Sequence, residues 1–337
     1  MSVETTEGEE LQEILEDAIS ILNADQDITL KYLMAEEVPD TKSILTDQNL
    51  TTYEYHEIPL RSEVLEEVRE NAAKDAESFY SSVNSGDREL VKYDVTNTNQ
   101  DIVPSQYINK EDLTYPQRFE RLFDADSFGY TTYDETENIG FQVLRITSER
   151  TGDQVLAFQR FTGHQLSSDG EKLRLMKEEE QYSQFDKTVV TVRNRFDCIW
   201  YQNQIFVFRT KPFEDIFDFL EQYKQHANNV INGLEDADLT IHNEDEFVDS
   251  IQGDRRALRK MHSVEQQGIY DTIDRGDVED VIDEFDLGIE ATTEDGQWGI
   301  TVPDLRKKWD VIRLLNDDHV VSYLIDAQYQ VYEKDKR

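Results

Sequence analysis

The side chains best suited to chemistry in this sequence are few, and their spacing excludes most familiar sites. The six histidines, His56, His164, His226, His242, His262 and His319, form no HxxxH or HxH pair. With Cys198 as the lone cysteine, no zinc site of the usual type can be written and no intramolecular disulfide can form. Cys198 has no histidine or basic residue beside it in sequence to favour a thiolate, and a mid-strand cysteine is usually a core residue. The segment "DTIDRGDVEDVIDE" (271–284) looks like a calcium loop until Gly276 is aligned with the loop glycine. That alignment puts Ile273 and Arg275 at ligand positions, so the match fails. A restriction-type nuclease needs an acid followed by a [DE]-x-K triplet. The only triplet is Asp40–Thr41–Lys42, in an expected loop with no acid suitably placed on a preceding strand. There is no glycine-rich phosphate loop, dinucleotide fingerprint or nucleophile elbow. The residues therefore assign no catalytic group, no metal ligand and no cofactor.

Two short basic segments run against the background. "GDRRALRKMH" (253–262) carries Arg255, Arg256, Arg259 and Lys260 against one acid, and "DLRKKWD" (304–310) adds Arg306, Lys307 and Lys308. On a helix, the first four sit at i, i+1, i+4 and i+5 and form one stripe, with Leu258 and Met261 nearer the other side. These seven residues are the candidate nucleic-acid-binding set. As four phosphate contacts, the stripe would give a log-affinity against log-salt slope of about −3 to −4. The competing reading is that the seven pair with neighbouring carboxylates.

That background is severe. The 337 residues hold 73 acidic against 34 basic side chains, a formal net charge of −39. Such a balance fits a halophilic surface kept hydrated by carboxylates, a mimic of DNA, or an acidic face for a basic partner. Hydrophobic residues are 37% and aromatics 10% of the chain, enough for a real core. The acidic N-terminus lacks the basic and apolar regions of a signal peptide. The longest uncharged apolar-leaning run, "CIWYQNQIFVF", is far short of the ~20 residues of a spanning helix. The expectation is a cytoplasmic protein whose membrane connection, if any, comes through a partner.

The elements that must position these residues follow from periodicity. Leu11, Ile14, Leu15, Ala18 and Leu22 predict a helix over residues 9–23. Residues 28–38, 51–60 and 89–95 read as strands, and Ser62 as the cap of a helix carrying Leu65, Val68, Ala72, Ala76 and Phe79. Residues 97–112 show no period and read as a linker closing an N-terminal α/β domain, 1–112. In 113–337, a short helix (115–123) precedes a hairpin at 139–147 and 154–162. A strand at 187–193 is followed by a second hairpin at 196–201 and 204–209, turned at Gln202–Asn203. On the first of these strands Phe196, Cys198 and Trp200 point one way, and Asp197, Ile199 and Tyr201 the other. One long helix follows, starting at Thr210 and Pro212 and ending at Gly233, with Phe213, Ile216, Phe217, Leu220, Tyr223, Ala227, Val230 and Ile231 as its stripe. Shorter helices fill 243–285, a hairpin turned at Asp295–Gly296 occupies 287–302, and strands at 319–325 and 328–334 close the chain. The fold class is α+β: an N-terminal α/β region, then a mixed or antiparallel sheet domain covered by helices.

Two stretches carry a family resemblance: "RFDCIWYQNQIFVFRTKPFEDIFDFLEQYKQHANNVI" and "WDVIRLLNDDHVVSYLIDAQYQVYEKDK". They resemble the KwaB-like family of the Kiwa anti-phage system over residues 135–334. Phe196, Asp197, Phe213 and Glu214 match its strand–turn–strand–helix segment. Leu314, Leu315, Asn316, Asp317, Ser322, Tyr329 and Lys334 match its closing turn and strands. The resemblance implies a cytoplasmic defence component that engages foreign DNA and works with a small multi-span membrane protein, KwaA. Its motifs establish no enzyme chemistry, so the leading expectation is a non-enzymatic component, and a homo-oligomer, a dimer, is expected besides. The charge of −39 stands against direct DNA contact or confines it to the basic segments. Two other functions stay open: a nucleic-acid-processing enzyme with an unrecognised carboxylate site, and an acidic DNA-mimic inhibitor.

Overall fold

The structure, a computed structural model, describes residues 4–39, 51–94, 105–113, 115–133, 138–162, 165–167, 175–178, 181–184, 189–236, 239–268, 274–294, 296–322 and 327–330. The Asp40–Thr41–Lys42 triplet, His164 and Lys334 lie outside them. The chain divides into two compact units, one of Met1–Tyr93 with Asp101–Phe217, the other of Asp94–Gln100 with Asp218–Arg337.

In the first unit, helix α1 (Glu4–Leu22) precedes strands β1 (Ile28–Pro39) and β2 (Thr51–Glu57), helix α2 (Ser62–Asn84), and strands β3 (Leu90–Lys92) and β4 (Ser105–Asn109). Helix α3 (Glu120–Asp124), β5 (Gly129–Tyr130) and the hairpin β6 (Ile139–Ser148)–β7 (Gln154–Arg160) follow. Four short strands come next: β8 (Leu166–Ser167), β9 (Leu175–Glu178), β10 (Gln181–Gln184) and β11 (Val189–Val190). The hairpin β12 (Cys198–Tyr201)–β13 (Gln204–Val207) and helix α4 (Thr210–Ile216) complete the unit. Nine strands form one sheet in the order β3-β4-β13-β12-β7-β6-β1-β2-β5. Its interior pairs are antiparallel and its two edge pairs, β3–β4 and β2–β5, parallel.

This pairing explains why residues 1–112 do not stand apart. β1 pairs with β6 and β4 with β13, so the expected boundary at 112/113 runs through the sheet. The expected linker, 97–112, lies outside the described residues as far as 104, and its remainder holds β4, which lies between β3 and β13 with Ser105, Gln106, Tyr107 and Ile108 buried. Its polar residues hid it. Gln106 accepts from the Thr210 hydroxyl at 3.2 Å, and Ser105 lies 3.4 Å from the Ser82 hydroxyl, so their burial is compensated.

Amphipathic spacing places α1 and α2 on one sheet face. Leu11, Leu15, Ala18 and Leu22, with Val68, Ala72, Ala76 and Phe79, pack on Tyr32, Met34, Leu144, Ile199, Tyr201 and Phe206. Trp200 lies in an aromatic cluster with Phe119, Phe123, Phe158 and Phe217, at ring separations of 5.0–6.4 Å. Its indole N–H donates to the Gln202 carbonyl at 3.0 Å, inside a turn where Gln202 adopts φ 52°. The alternation expected for residues 196–201 holds along β12 but fails before it. Phe196 joins the Ile199–Tyr201 cluster, because its N–H is held by Asp75 of α2 at 2.6 Å ahead of the strand.

The long helix expected after β13 is two helices. Asp218 takes a left-handed φ of 59° and ends the first, so Phe213, Ile216 and Phe217 belong to one unit and Tyr223, Ala227, Val230 and Ile231 to the other. Gly233 lies inside the second helix and does not end it.

The second unit contains α5 (Phe219–Asp236), β14 (Thr240–Ile241), α6 (Glu244–Gln252), α7 (Arg255–Gln267), α8 (Arg275–Glu284), the hairpin β15 (Glu290–Glu294)–β16 (Gln297–Thr301), α9 (Lys308–Leu315), β17 (His319–Ser322) and β18 (Ala327–Gln330). β14 runs parallel to β16 in a three-stranded sheet, and β17 pairs antiparallel with β18. Gly299 permits the first of these pairings: a Cβ there would lie 2.1 Å from the Thr240 carbonyl oxygen. Met261, Val264, Val230 and Ile231 are buried, so α5 and α7 have packed apolar faces. The fold class is α+β, with a large mixed sheet, a three-stranded sheet and short two-stranded pairs among the described residues. Among the described residues no helix is long and apolar enough to cross a membrane.

Candidate nucleic-acid surface and the motif network

The two basic segments, about fifty residues apart in sequence, meet where α7 and α9 begin. Asp254 is the N-cap of α7 and accepts the backbone N–H groups of Arg256 and Ala257 at 3.1 and 3.2 Å. Its carboxylate also binds Lys308 of α9 at 2.9 Å, and Lys308 donates to the Ser250 carbonyl at 2.7 Å. The Arg256 guanidinium lies 5.4 Å from the Trp309 ring centroid. Arg306 forks onto Asp304, the cap of its own turn, at 2.6–2.9 Å. Lys307 lies 3.9 Å from Asp310.

The expected single stripe is therefore sorted by burial. Arg256, Arg306 and Lys307 are exposed, whereas Arg255, Arg259, Lys260 and Lys308 are half-buried. Lys260 is committed to Asp318 at 3.1 Å. Arg255 and Arg259 also have polar or electrostatic partners. Electrostatics follow this sorting. Burial works against ionisation of Asp254, but Lys308 and the two N–H groups outweigh it, and its carboxyl titrates below the ordinary range. The Arg306 side chain and N–H lower Asp304 to about 2.

The family-motif residues carry a different polar network. Asp197 has a fully buried side chain. It accepts the Arg160 N–H at 2.7 Å, Arg193 at 3.1 Å and Arg209 at 3.4 Å. Desolvation nevertheless prevails and pushes its carboxyl up. Its own backbone N–H donates to Phe158, and its carbonyl accepts from Phe208 and Arg209, so this one residue ties β7, β12 and β13 together. Glu214, equally buried, accepts from the Tyr93 hydroxyl at 2.7 Å. In the closing motif, buried Asn316 donates to Asp318 at 2.6 Å and so orients the carboxylate that holds Lys260. Asp317 supplies the left-handed residue of that turn at φ 51°. These positions act by fixing turns and satisfying buried groups. Cys198 is wholly buried, and burial raises its thiol far above the ordinary value, as a core cysteine requires.

One group escaped the sequence reading. His226 of α5 and His262 and Glu265 of α7 bring ligand-type atoms within 4.8 Å of one another. A search for two histidines in one segment misses ligands shared between helices. The available signal was His262-x-x-Glu265, an i, i+3 pair on one helical face.

Comparison with known proteins names the same family as the resemblance. Residues 137–324 match the model of the family described as Kiwa protein KwaB-like. No curated protein and no solved structure matches the chain. This match over more than half of the sequence places the chain in the KwaB-like family of Kiwa proteins, components of anti-phage defence.

Proposed function

We propose that the chain is the DNA-engaging component of this defence, acting without chemistry of its own. The exposed cations Arg256, Arg306 and Lys307 contact phosphate, and a KwaA-like multi-span protein supplies the membrane partner. The observation that carries this reading is the meeting of the two basic segments through Asp254–Lys308 and Arg256–Trp309, which leaves these three cations outermost. At ~0.1 M salt the Debye length is ~10 Å, so the net acidity of the chain is screened beyond that range while local cations still attract phosphate. Lys260 and Lys308 are held by carboxylates with 5% and 32% side-chain exposure, and in this reading they orient the surface. Three contacts predict a salt slope of about −2 to −3, shallower than four would give.

The test is duplex binding across a salt series by the wild type and by a variant with Arg256, Arg306 and Lys307 changed to Gln. The expected result is loss of most of the slope with an unchanged melting curve and little sequence preference. Equal slopes would overturn the assignment. Metal-dependent cleavage of the duplex would favour the nucleic-acid-processing enzyme, and competition with DNA for a DNA-binding protein would favour the mimic.

A further inference from the structure

The α5–α7 pair carries three side chains that the DNA reading does not use. His262 and Glu265 stand one turn apart on α7, and His226 faces them from α5. The two imidazole rings lie 4.1 Å apart between centroids. Glu265 Oε2 contacts His226 Nδ1 and lies 4.0 Å from His262 Nδ1. His262 Nδ1, the ring nitrogen on the side of Glu265 Oε2, is a buried atom without a hydrogen-bond partner. A buried ring nitrogen left in that state requires an explanation, and a bound ion is one.

We propose that His226, His262 and Glu265 form a site for one divalent transition-metal ion of the zinc type, with a coordination position left open. Two imidazoles and a carboxylate are the donor set of a three-ligand zinc centre, in which water or an anionic oxygen takes the fourth place. Magnesium and calcium favour oxygen ligands throughout, so two imidazole nitrogens select against them. Bonds of about 2.0–2.1 Å set tetrahedral ligand atoms about 3.3 Å apart. The three ligand-type atoms lie within 4.8 Å of one another, so side-chain adjustment toward that spacing is what an ion requires.

The surroundings suit such a site. Asn229 donates to Glu265 Oε1 at 2.8 Å, which leaves Oε2 directed at the histidines. The Gln266 amide lies 3.1 Å from His262 Nε2 and holds the ring. With that amide turned so that its oxygen accepts from Nε2–H, Nδ1 becomes the free ligand atom. Tyr223, buried, packs on the His262 ring from α5 with centroids 6.1 Å apart. Glu265 also lies in the closing turns of α7, where the helix dipole favours a cation.

The test uses the full chain, stripped with chelator and titrated with Zn²⁺ alone, with Co²⁺ as a spectroscopic reporter. The expected result is one equivalent of Zn²⁺ retained through dialysis, a Zn²⁺-dependent rise in melting temperature, and a visible Co²⁺ band typical of four-coordination. His226→Gln, at the most exposed of the three side chains, should abolish retention while its metal-free melting curve stays that of the wild type. Asn229→Ala should weaken binding about 10–100-fold, as the loss of an orienting group does. No retained equivalent in the wild type would overturn the proposal. So would retention unchanged in His226→Gln and Glu265→Gln, since weak binding by surface carboxylates survives both changes.

Discussion

Asp197 and Asp254 are nearly the same site built twice. Asp197 accepts one backbone N–H and binds two guanidiniums, Asp254 accepts two N–H groups and binds one ammonium, and each begins a stretch that the fold depends on. Yet their carboxyls shift in opposite directions, Asp197 upward and Asp254 downward. The difference is water. Asp197 is fully buried and its desolvation outweighs two guanidiniums at 3.1 and 3.4 Å, whereas Asp254, with a third of its side chain exposed, is only partly desolvated, and Lys308 with two N–H groups outweighs that cost. Similar partners therefore give an interior brace in one unit and a surface anchor in the other. Only the second arrangement leaves nearby cations able to exchange a carboxylate for a phosphate.

The comparison breaks most visibly in the interior of the first unit. Trp200→Ala, which empties the aromatic cluster around β12, should cost about 3–5 kcal/mol in denaturant unfolding. A variant melting within a degree or two of wild type would remove the interior role of that hairpin. Asp197→Ala comes next. It leaves the Arg160 N–H without an acceptor and should cost about 1–3 kcal/mol. Asp197→Asn keeps an acceptor and removes the buried charge, so its stability at neutral pH should equal or exceed that of wild type. If it folds normally yet abolishes phage protection, Asp197 has a role beyond structure.

The second unit should answer with the opposite sign. Asp254→Asn should destabilise by up to about 1 kcal/mol at neutral pH, in keeping with a partly exposed pair. The depressed carboxyl contributes stability that is present above the unfolded value near 3.9 and lost as pH falls through the lower folded value. The gap between wild type and Asp254→Asn should therefore close in acid. For Asp197 the penalty on the charged form is full above its raised folded value and disappears as pH falls below the unfolded one. The smallest thermodynamic effect belongs to Arg306→Gln and Lys307→Gln, within about 0.5 kcal/mol of wild-type stability. Each should nonetheless flatten the DNA salt slope by ~0.9 if it touches a phosphate.

Much of the architecture was legible because it depends on local period. Helices α1 and α2, the hairpins β6–β7 and β12–β13, and the Gln202 turn all sit where apolar spacing placed them. β4 was not legible, since its Ser105 and Gln106 read as loop residues until Ser82 and Thr210 supply their partners. The break at Asp218 was equally hidden, because the apolar stripe continues through it while the backbone does not. The basic residues of the candidate surface were visible as types, but their division into exposed and anchored groups was not.

What the sequence alone determined is what depends on neighbours within a few residues: helix and strand identity, the α+β class, the basic segments, and the turn residues through which the family resemblance shows. Tertiary structure alone decided that β1 to β4 share one sheet with β6, β7, β12 and β13, since strand pairing is set by which buried backbone finds a partner. It also decided which cations stay in water, because Lys308 meets Asp254 and Lys260 meets Asp318 only after α7 and α9 pack. The meeting of His226 with His262 and Glu265 is of the same kind: the residues are 36 and 39 apart in number, and only the packing of α5 on α7 brings them together. Charge and ligand type are properties of a residue, whereas desolvation and coordination are properties of its surroundings.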